Sequence, residues 1–327
     1  MGFEKIRGQD TAVKMLKNSI IGNHISHAYL FAGPEGVGKK AAALAFAQAL
    51  NCVNSADSPG RGCQTCISCR KVLNSNHPDI EVIKPDGQSI KIDQVRNLKN
   101  KVYYKCYESK YKVIIFDDAH LLTIEGANSL LKVLEEPPEN TIFVLVTAEP
   151  QQLPDTILSR CQQVQFKPLA SQNIVDILRI KYPADTDRLK LVAGLAGGSL
   201  VKAAGLLEEG ELLEIRSETV GFLQRLRELS FSEISLWCEK WDKDKQKIKT
   251  IFELTQFWYR DLLVWRTTGQ EEILINQDYL ADIKSNTNTF TNINFALSLI
   301  KDSRRYLEYN VNPRLALEVF FMKAKIN

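Results

Sequence analysis

Residues 28–50 have the sequence AYLFAGPEGVGKKAAALAFAQAL, in which an apolar run, a glycine-rich turn and an alanine-rich helical stretch follow one another directly. The turn matches the pattern G-x-x-x-x-G-K, and it lies between a predicted strand and a predicted helix, as a phosphate-binding loop must. In such a loop backbone N–H groups and a helix N-terminus face phosphate oxygens, and a lysine adds a point charge. The candidate nucleotide-binding residues are Gly33, Gly36, Gly38, Lys39 and Lys40. The alternative is an ordinary glycine-rich turn.

The last position of this loop departs from the usual pattern. A Ser or Thr hydroxyl normally holds Mg²⁺ there, whereas this chain has Lys40. An ammonium group cannot ligate a cation and repels one. ATP or ADP could therefore be held through Lys39 and the backbone, but we do not expect a well-formed Mg²⁺ site. Metal-assisted hydrolysis is compromised.

A second acidic motif follows the apolar run 112–116, where Asp117 and Asp118 stand side by side. In nucleotide sites the first carboxylate of such a pair reaches Mg²⁺ directly or through water. The second carboxylate positions or deprotonates the attacking water, a role that usually falls to Glu. Because the Asp118 side chain is one methylene shorter than that of Glu, we expect its carboxylate to be displaced from the attacking water and hydrolysis to be slow. The alternative is that both acids only cap the following segment.

The first half of the chain alternates strand-like and helical segments, which predicts a mostly parallel sheet covered by helices. Predicted helices span Lys39 to Leu50 and Asn128 to Glu135, the second ended by Pro137 and Pro138. After Pro168 the strand pattern disappears, and the aromatic residues farther along the chain are expected to pack between helices. The predicted strands are Ala28 to Ala32, Ile80 to Lys84, Lys112 to Phe116, Ile142 to Thr147 and Gln163 to Phe166.

Four of the seven cysteines form the pattern C-x10-C-x2-C-x2-C: Cys52, Cys63, Cys66 and Cys69. Two-residue spacings let neighbouring thiolates chelate one ion, and the fourth thiolate completes a tetrahedron. A ferredoxin-type cluster would require a further Cys and Pro after the last of these, and the sequence has neither there. We therefore predict a structural Zn²⁺ site without an open catalytic position.

Composition places few limits on function. Hydrophobic residues make up 44% of the chain and charged residues 25%, and the net charge of +3 is too small to indicate nucleic-acid binding by itself. No apolar run reaches the roughly 20 residues of a membrane span. The sequence MGFEKIRGQD lacks the apolar core of a secretory signal. We therefore expect a cytoplasmic protein without membrane partners.

These motifs together resemble the bacterial clamp-loader ATPases of the AAA+ family. The resemblance covers roughly residues 5–205 and is carried by five motifs: His27 to Gly33, the phosphate loop, Asp117 to His120, Asn128 to Pro138 and Leu153 to Cys161. It implies an α/β fold. Residues 1–167 would form a P-loop AAA+ domain with a parallel sheet, and this domain would include a zinc insertion at about 50–72. A small helical lid at 168–207 and an all-α C-terminal collar domain for oligomerisation at 208–327 would follow.

The resemblance also assigns roles to single residues. Arg160, in the Ser-Arg-Cys element, would reach across a subunit boundary to the γ-phosphate of ATP on a neighbour, the alternative being a surface ion pair. Thr147 would occupy the region of the first sensor. Within the family the chain is more similar to the delta-prime type than to the gamma/tau motors. A motor would have Ser or Thr in place of Lys40, Glu in place of Asp118, and the Arg of the second sensor in place of Val201.

The expected function follows from this resemblance. The chain would be the stator of a clamp loader with gamma/tau motor and delta subunits, which loads the sliding clamp on primer-template DNA during replication. It would bind nucleotide with weak or no ATPase activity, within a DNA polymerase III holoenzyme whose nucleotidyltransferase activity lies elsewhere. The rival hypotheses are a self-sufficient AAA+ ATPase, a gamma/tau-type motor subunit, and a nucleotide-free scaffold in which Lys39 no longer binds phosphate.

Overall fold

The computed structural model describes residues 2–54, 59–183, 185–208, 211–242, 244–309 and 311–326. Residues 55–58 of the predicted zinc module, residue 184 of the predicted lid, and residues 209, 210, 243, 310 and 327 of the predicted collar lie outside this part of the chain. The chain groups into two compact units. The first is Met1–Pro183 with Gly197–Lys202, and the second is Ala184–Ala196 with Ala203–Asn327. The sequence-based division at 167 and 207 stays a prediction.

The first unit is built on a five-stranded sheet in the order β2-β3-β4-β1-β5, with parallel pairing throughout. The predicted parallel α/β architecture is therefore confirmed. The strands are β1 Ala28–Ala32, β2 Ile80–Ile83, β3 Lys112–Phe116, β4 Thr141–Thr147 and β5 Gln162–Gln165.

The three central strands are buried at every position, which explains why their sequences are apolar on successive residues instead of alternating. Leu30 on β1 pairs with Leu145 on β4, and Ile115 on β3 pairs with Val144. Because the strands are parallel, their carboxyl ends lie at one edge of the sheet. The segments after β1, β3 and β4 therefore emerge next to one another, where ligands bind in open α/β sheets.

Helices surround this sheet, and the short turn Ala119–Leu121 follows β3 as a 3₁₀ helix. The predicted helix at Asn128 begins earlier, because the Thr123 hydroxyl accepts the Gly126 N–H at 3.1 Å and starts the helix at Ile124. The helices of this unit are α1 Asp10–Ile21, α2 Lys39–Leu50, α3 Ile67–Leu73, α4 Ile92–Val102, α5 Ile124–Glu135, α6 Asp155–Leu158 and α7 Ser171–Lys181.

The described residues of the second unit form helices joined by turns and irregular segments, without a strand. The helices from this point to the end of the chain are α8 Thr186–Leu195, α9 Leu200–Glu208, α10 Glu211–Arg225, α11 Phe231–Glu239, α12 Lys245–Thr268, α13 Leu280–Ser285, α14 Phe290–Glu308 and α15 Pro313–Ile326. Helix α9 begins in the first unit and continues into the second. No helix in the described ranges has both the length and the hydropathy to cross a bilayer.

Aromatic rings form much of the core of the second unit. Phe222 on α10 stacks on Trp237 of α11 with ring centroids 4.1 Å apart, and it meets the Phe321 ring of α15 edge-on with centroids 4.8 Å apart. The interpretation of these aromatics as packing residues is therefore confirmed. Asp261 of α12 is also fully buried, and it accepts the backbone N–H groups of Ile275 and Asn276.

Candidate functional site

The phosphate loop leaves β1 at the carboxyl edge of the sheet and ends where α2 begins at Lys39. Gly36, near its tip, has a φ of 73°, and a Cβ on it would lie 2.3 Å from the Ser199 Oγ. Only glycine is compatible with both conditions. The Gly36 carbonyl accepts the Leu200 N–H at 3.0 Å. The first turn of α9, which includes Val201, therefore lies directly on the phosphate loop.

Lys39 is buried within this loop at 7% exposure. Its ammonium group donates to the carbonyl oxygens of Gly33 at 2.6 Å and Pro34 at 2.5 Å. Burial lowers the pKa of Lys39, because it penalises the charged form, and this effect exceeds the opposing attraction of the Asp118, Glu35 and Asp117 carboxylates. The loop thus gathers a buried ammonium group and a helix N-terminus at one point, which is the chemistry that a phosphate chain requires.

Lys40 and Asp117 form an ion pair, with the Lys40 Nζ 2.6 Å from the Asp117 Oδ2. The two side chains are 39% and 15% exposed. Asp118, by contrast, is exposed and has a φ of 54°, so its backbone lies in the left-handed region that a non-glycine residue seldom adopts. The two neighbouring acids therefore differ: one is paired with the phosphate-loop helix, and the other projects from a strained turn beside it.

Thr147 ends β4 between these two motifs and is fully buried. Its hydroxyl lies 3.3 Å from the His120 Nδ1 and accepts the Glu149 N–H at 3.0 Å, while its carbonyl accepts the Gly33 N–H at 3.3 Å. The structure thus places Thr147 beside the phosphate loop with its hydroxyl already engaged. Its role as a sensor stays a prediction.

Arg160 lies outside the candidate nucleotide site, two residues after α6 ends and just before β5. Ile157, on the preceding helix α6, is fully buried and holds that helix in place. One guanidinium nitrogen donates to the Thr156 carbonyl at 2.9 Å, and another donates to the Glu135 carboxylate at 2.7 Å. The Arg160 side chain remains 35% exposed, so it is oriented by the fold and still reachable from outside.

The predicted zinc ligands come together. The Sγ atoms of Cys52, Cys63, Cys66 and Cys69 all lie within 4.8 Å of one another. Cys52 follows α2, and Cys66 caps α3, on which Cys69 lies. Hydrogen bonds from the Thr65 hydroxyl, and then from the backbone N–H groups of Cys66 and Thr65, lower the pKa of Cys63 to about 6, whereas burial raises the pKa of Cys69.

This donor set fits a structural zinc ion. Zn–S bonds of about 2.3 Å in a tetrahedron put sulfur atoms about 3.8 Å apart, and Cys63 and Cys69 lie at 4.0 Å. Backbone N–H groups already donate to three of the sulfurs, those of Cys52, Cys63 and Cys66, at 3.3 to 3.4 Å. Such bonds stabilise thiolates, so the fold prepares the thiols for a cation. The four cysteines could hold zinc at the far end of the phosphate-loop helix.

Sequence reasoning missed Gln9, a buried residue just before α1. Its amide exchanges two hydrogen bonds with the Lys167 backbone, at 2.7 and 3.0 Å, and donates to the Val37 carbonyl of the phosphate loop at 3.4 Å. Gln9 therefore ties the loop to the segment that follows β5. A polar residue at a helix start is normally an exposed cap, so the sequence held no signal for this buried role.

Comparison with known proteins identifies the family. The family described as "DNA polymerase III, delta subunit" matches residues 8–170, and "DNA polymerase III, delta subunit, C terminal" matches residues 211–324. The DNA polymerase III subunit delta' of Bacillus subtilis is 33% identical over 315 residues, which cover 95% of this chain and 94% of that protein. The subunit tau of the same organism is 32% identical over 98% of this chain, which spans 61% of tau's length.

Among solved structures, a gamma-subunit-related protein of DNA polymerase III from Thermotoga maritima aligns over 96% of this chain and 99% of its own, at 19% identity and a TM-score of 0.48. The delta' match extends over nearly the whole length of both proteins and exceeds 30% identity. The chain belongs to the clamp-loader family of DNA polymerase III subunits, of the delta-prime and tau/gamma type.

Proposed function

We propose that this chain is a delta-prime-type stator, which positions Arg160 against ATP bound to a neighbouring motor subunit. The observation that carries the proposal is the contrast between its two sites. The chain's own nucleotide site has Lys40 paired with Asp117 where a motor would hold a metal, while Arg160 is oriented and exposed elsewhere.

Sequence identity does not distinguish a stator from a motor, because the delta' and tau relatives match equally well, at 33% and 32%. The residues at the nucleotide site separate the two. Lys40 supplies no hydroxyl for Mg²⁺, and Asp118 is shorter than the Glu that a motor uses to activate water. Val201, in the first turn of α9 beside the phosphate loop, has no charge with which to contact a phosphate. These features argue against a self-sufficient ATPase and a gamma/tau-type motor.

The position of Arg160 suits a role in trans. Its guanidinium group donates hydrogen bonds to the Thr156 carbonyl and to the Glu135 carboxylate, which fix its direction. The group retains further N–H donors on its exposed side. A guanidinium supplied across a subunit boundary neutralises charge that develops on the transferred phosphoryl group, and such a residue raises the rate by about 10³-fold or more. Arg160 would therefore act on the neighbour's ATP, with Asp117 and Asp118 marking only a weak catalytic centre in the chain itself.

The assembly follows from the family. Its partners would be gamma/tau motor subunits and a delta subunit, and through them the sliding clamp and primer-template DNA in the cytoplasm. Residues 168–207 would serve as the lid and residues 208–327 as the oligomerising collar, with zinc in the four-cysteine cluster. Nucleotide held by Gly33, Gly36, Gly38 and Lys39 would stabilise the chain but turn over slowly, if at all.

The test is the clamp- and DNA-stimulated ATPase rate of a complex reconstituted from this chain and its motor and delta partners. Arg160→Ala is expected to lower the rate by about tenfold or more with assembly intact on size exclusion. Arg179→Ala, on the exposed side of α7, is the matched control and should leave the rate unchanged. An unchanged rate with Arg160→Ala would reduce Arg160 to a surface ion pair.

A further inference from the structure

The ion pair between Lys40 and Asp117 joins the two motifs of the nucleotide site. Lys40 lies in the first turn of α2, and Asp117 directly follows β3. Strand β4 alone separates β1 from β3 in the sheet, so both residues emerge at the same edge. The 2.6 Å separation of Nζ and Oδ2 places the ammonium group between the phosphate-loop helix and the acidic motif.

A divalent cation does not fit this arrangement. Mg²⁺ requires nearly octahedral oxygen ligands at about 2.0 to 2.1 Å, and a position-40 hydroxyl and the first acid of the second motif normally contribute. Here the hydroxyl is replaced by a cation, and that cation is bonded to the acid. An ion entering at this point would meet the positive charge of Lys40 and would have to break its bond to Asp117. The residues present therefore do not fit the magnesium site that is expected for the family.

The same residues still present positive charge to a phosphate chain. Lys39 and Lys40 place two ammonium groups at the N-terminus of α2, where the Asp117, Asp118 and Glu35 carboxylates oppose the charge of Lys39 and Asp117 is paired with Lys40. The Lys40 side chain is 39% exposed, so its ammonium group can meet a ligand while it remains paired. A phosphate oxygen that would face Mg²⁺ in a motor subunit would here face an ammonium group attached to the protein.

We propose that Lys40 takes the place of the magnesium ion, so that this chain binds nucleoside di- and triphosphates without a divalent cation. This inference rests on the nucleotide-binding part of the proposed function and adds its cation requirement. Lys40 contributes a fixed charge that orients the phosphates and holds Asp117. Because it cannot exchange ligands as a metal does, it favours retention of nucleotide over turnover.

The inference is tested with the full chain by calorimetric titration of ADP and of ATP, each in excess magnesium and in EDTA. The wild type should bind with affinities that agree within about threefold between the two conditions. Lys40→Thr restores the hydroxyl and releases Asp117, so its affinity should be at least about tenfold higher with magnesium than without. Lys40→Met keeps the length but not the charge, and it should bind more weakly than the wild type in EDTA.

Two results would overturn the inference: a wild-type affinity that falls about tenfold or more in EDTA, or no saturable binding of either nucleotide up to millimolar concentration. Circular dichroism of each variant separates a lost site from a lost fold. Neither result bears on Arg160, because the motor-complex assay reads turnover in a neighbour. A failure here and a failure of the stator role are therefore distinguishable.

Discussion

Arg160 donates to Glu135 across 2.7 Å, and this bond joins the Ser-Arg-Cys element to the last residue of α5. The two residues are 25 positions apart in the chain, and both stand in motifs that carry the clamp-loader resemblance. The bond fixes the direction of a long side chain at the surface. Because a preorganised guanidinium loses less freedom when it meets phosphate, we expect Glu135 to act as a positioning residue for Arg160 in the proposed function.

Glu135→Gln should separate positioning from stability. The pair is 35% and 49% exposed, so its loss should change the free energy of unfolding by no more than about 1 kcal/mol. The neighbour's ATPase rate in the reconstituted complex should fall, but by less than with Arg160→Ala, because the guanidinium remains and only its orientation is loosened. Urea unfolding and the ATPase assay measure the two effects. A rate as low as that of Arg160→Ala would mean that Glu135 takes part directly.

The cysteine cluster should contain about one zinc ion per chain. Cys69→Ser should abolish stoichiometric zinc and lower the stability, because the other three thiols cannot complete the tetrahedron. Cys106→Ser is the matched control: Cys106 lies outside the cluster, and its replacement should leave the zinc content unchanged. Elemental analysis of the purified variants makes the measurement. Full zinc content in Cys69→Ser would contradict the assignment.

Asp79 should be a strong, pH-dependent contributor to stability. It is 2% exposed and accepts the N–H groups of Tyr107, Glu108 and Ser109 together with the Ser109 hydroxyl. Burial acts to raise the pKa of Asp79, but the hydrogen bonds outweigh it and hold the pKa below its ordinary value. Asp79→Asn should therefore cost about 2–3 kcal/mol at neutral pH.

The pH dependence of this effect has a definite sign. The pKa of Asp79 is lower in the folded than in the unfolded chain, so its stabilisation is complete above the unfolded value of about 3.9 and is lost as the pH falls through the folded value. The difference in unfolding free energy between wild type and Asp79→Asn should shrink below about pH 4. Asp86→Asn, at a side chain 73% exposed, should change little at any pH. A constant difference down to low pH would contradict the account.

In the second unit, Asp261→Asn should destabilise by about 2–4 kcal/mol. Asp261 is fully buried and accepts the N–H groups of Ile275 and Asn276, and an amide in its place would leave one donor facing another. Asp187→Asn, at a side chain 85% exposed, is the control and should change stability by less than about 0.5 kcal/mol. Chemical unfolding measures both. Equal effects would show that the buried carboxylate is not the anchor.

Local pattern was enough to predict the elements around the candidate nucleotide site. Strands β1 and β3 and helix α2 begin and end where the sequence predicted, because apolar runs and the glycine-rich turn set their limits. The segment 285–294 shows where local pattern failed. Its polar composition is typical of a loop between helices, but α14 begins at Phe290, because Thr289 and Asn292 form a capping box that composition alone does not reveal.

Long-range pairs could not be predicted. The lysine at position 40 argued against magnesium from the sequence, but its bond to Asp117 spans 77 positions and depends on the order of strands in the sheet. Gln9 meets Lys167 across 158 positions for the same reason. Cysteine spacing, by contrast, predicted the four-cysteine cluster well, because Cys63, Cys66 and Cys69 are close together in the sequence.

The action of Arg160 on a neighbour's ATP is the central step of the proposed function. The most direct measurement is the single-turnover rate of ATP cleavage by the motor subunits in the reconstituted complex, with wild-type chain and with Arg160→Lys. Lysine keeps the charge but lacks the planar fork of donors, so the rate should fall by about tenfold or more while the complex remains assembled. An equal rate with the assembled Arg160→Lys complex would contradict the claim that Arg160 completes the adjacent site.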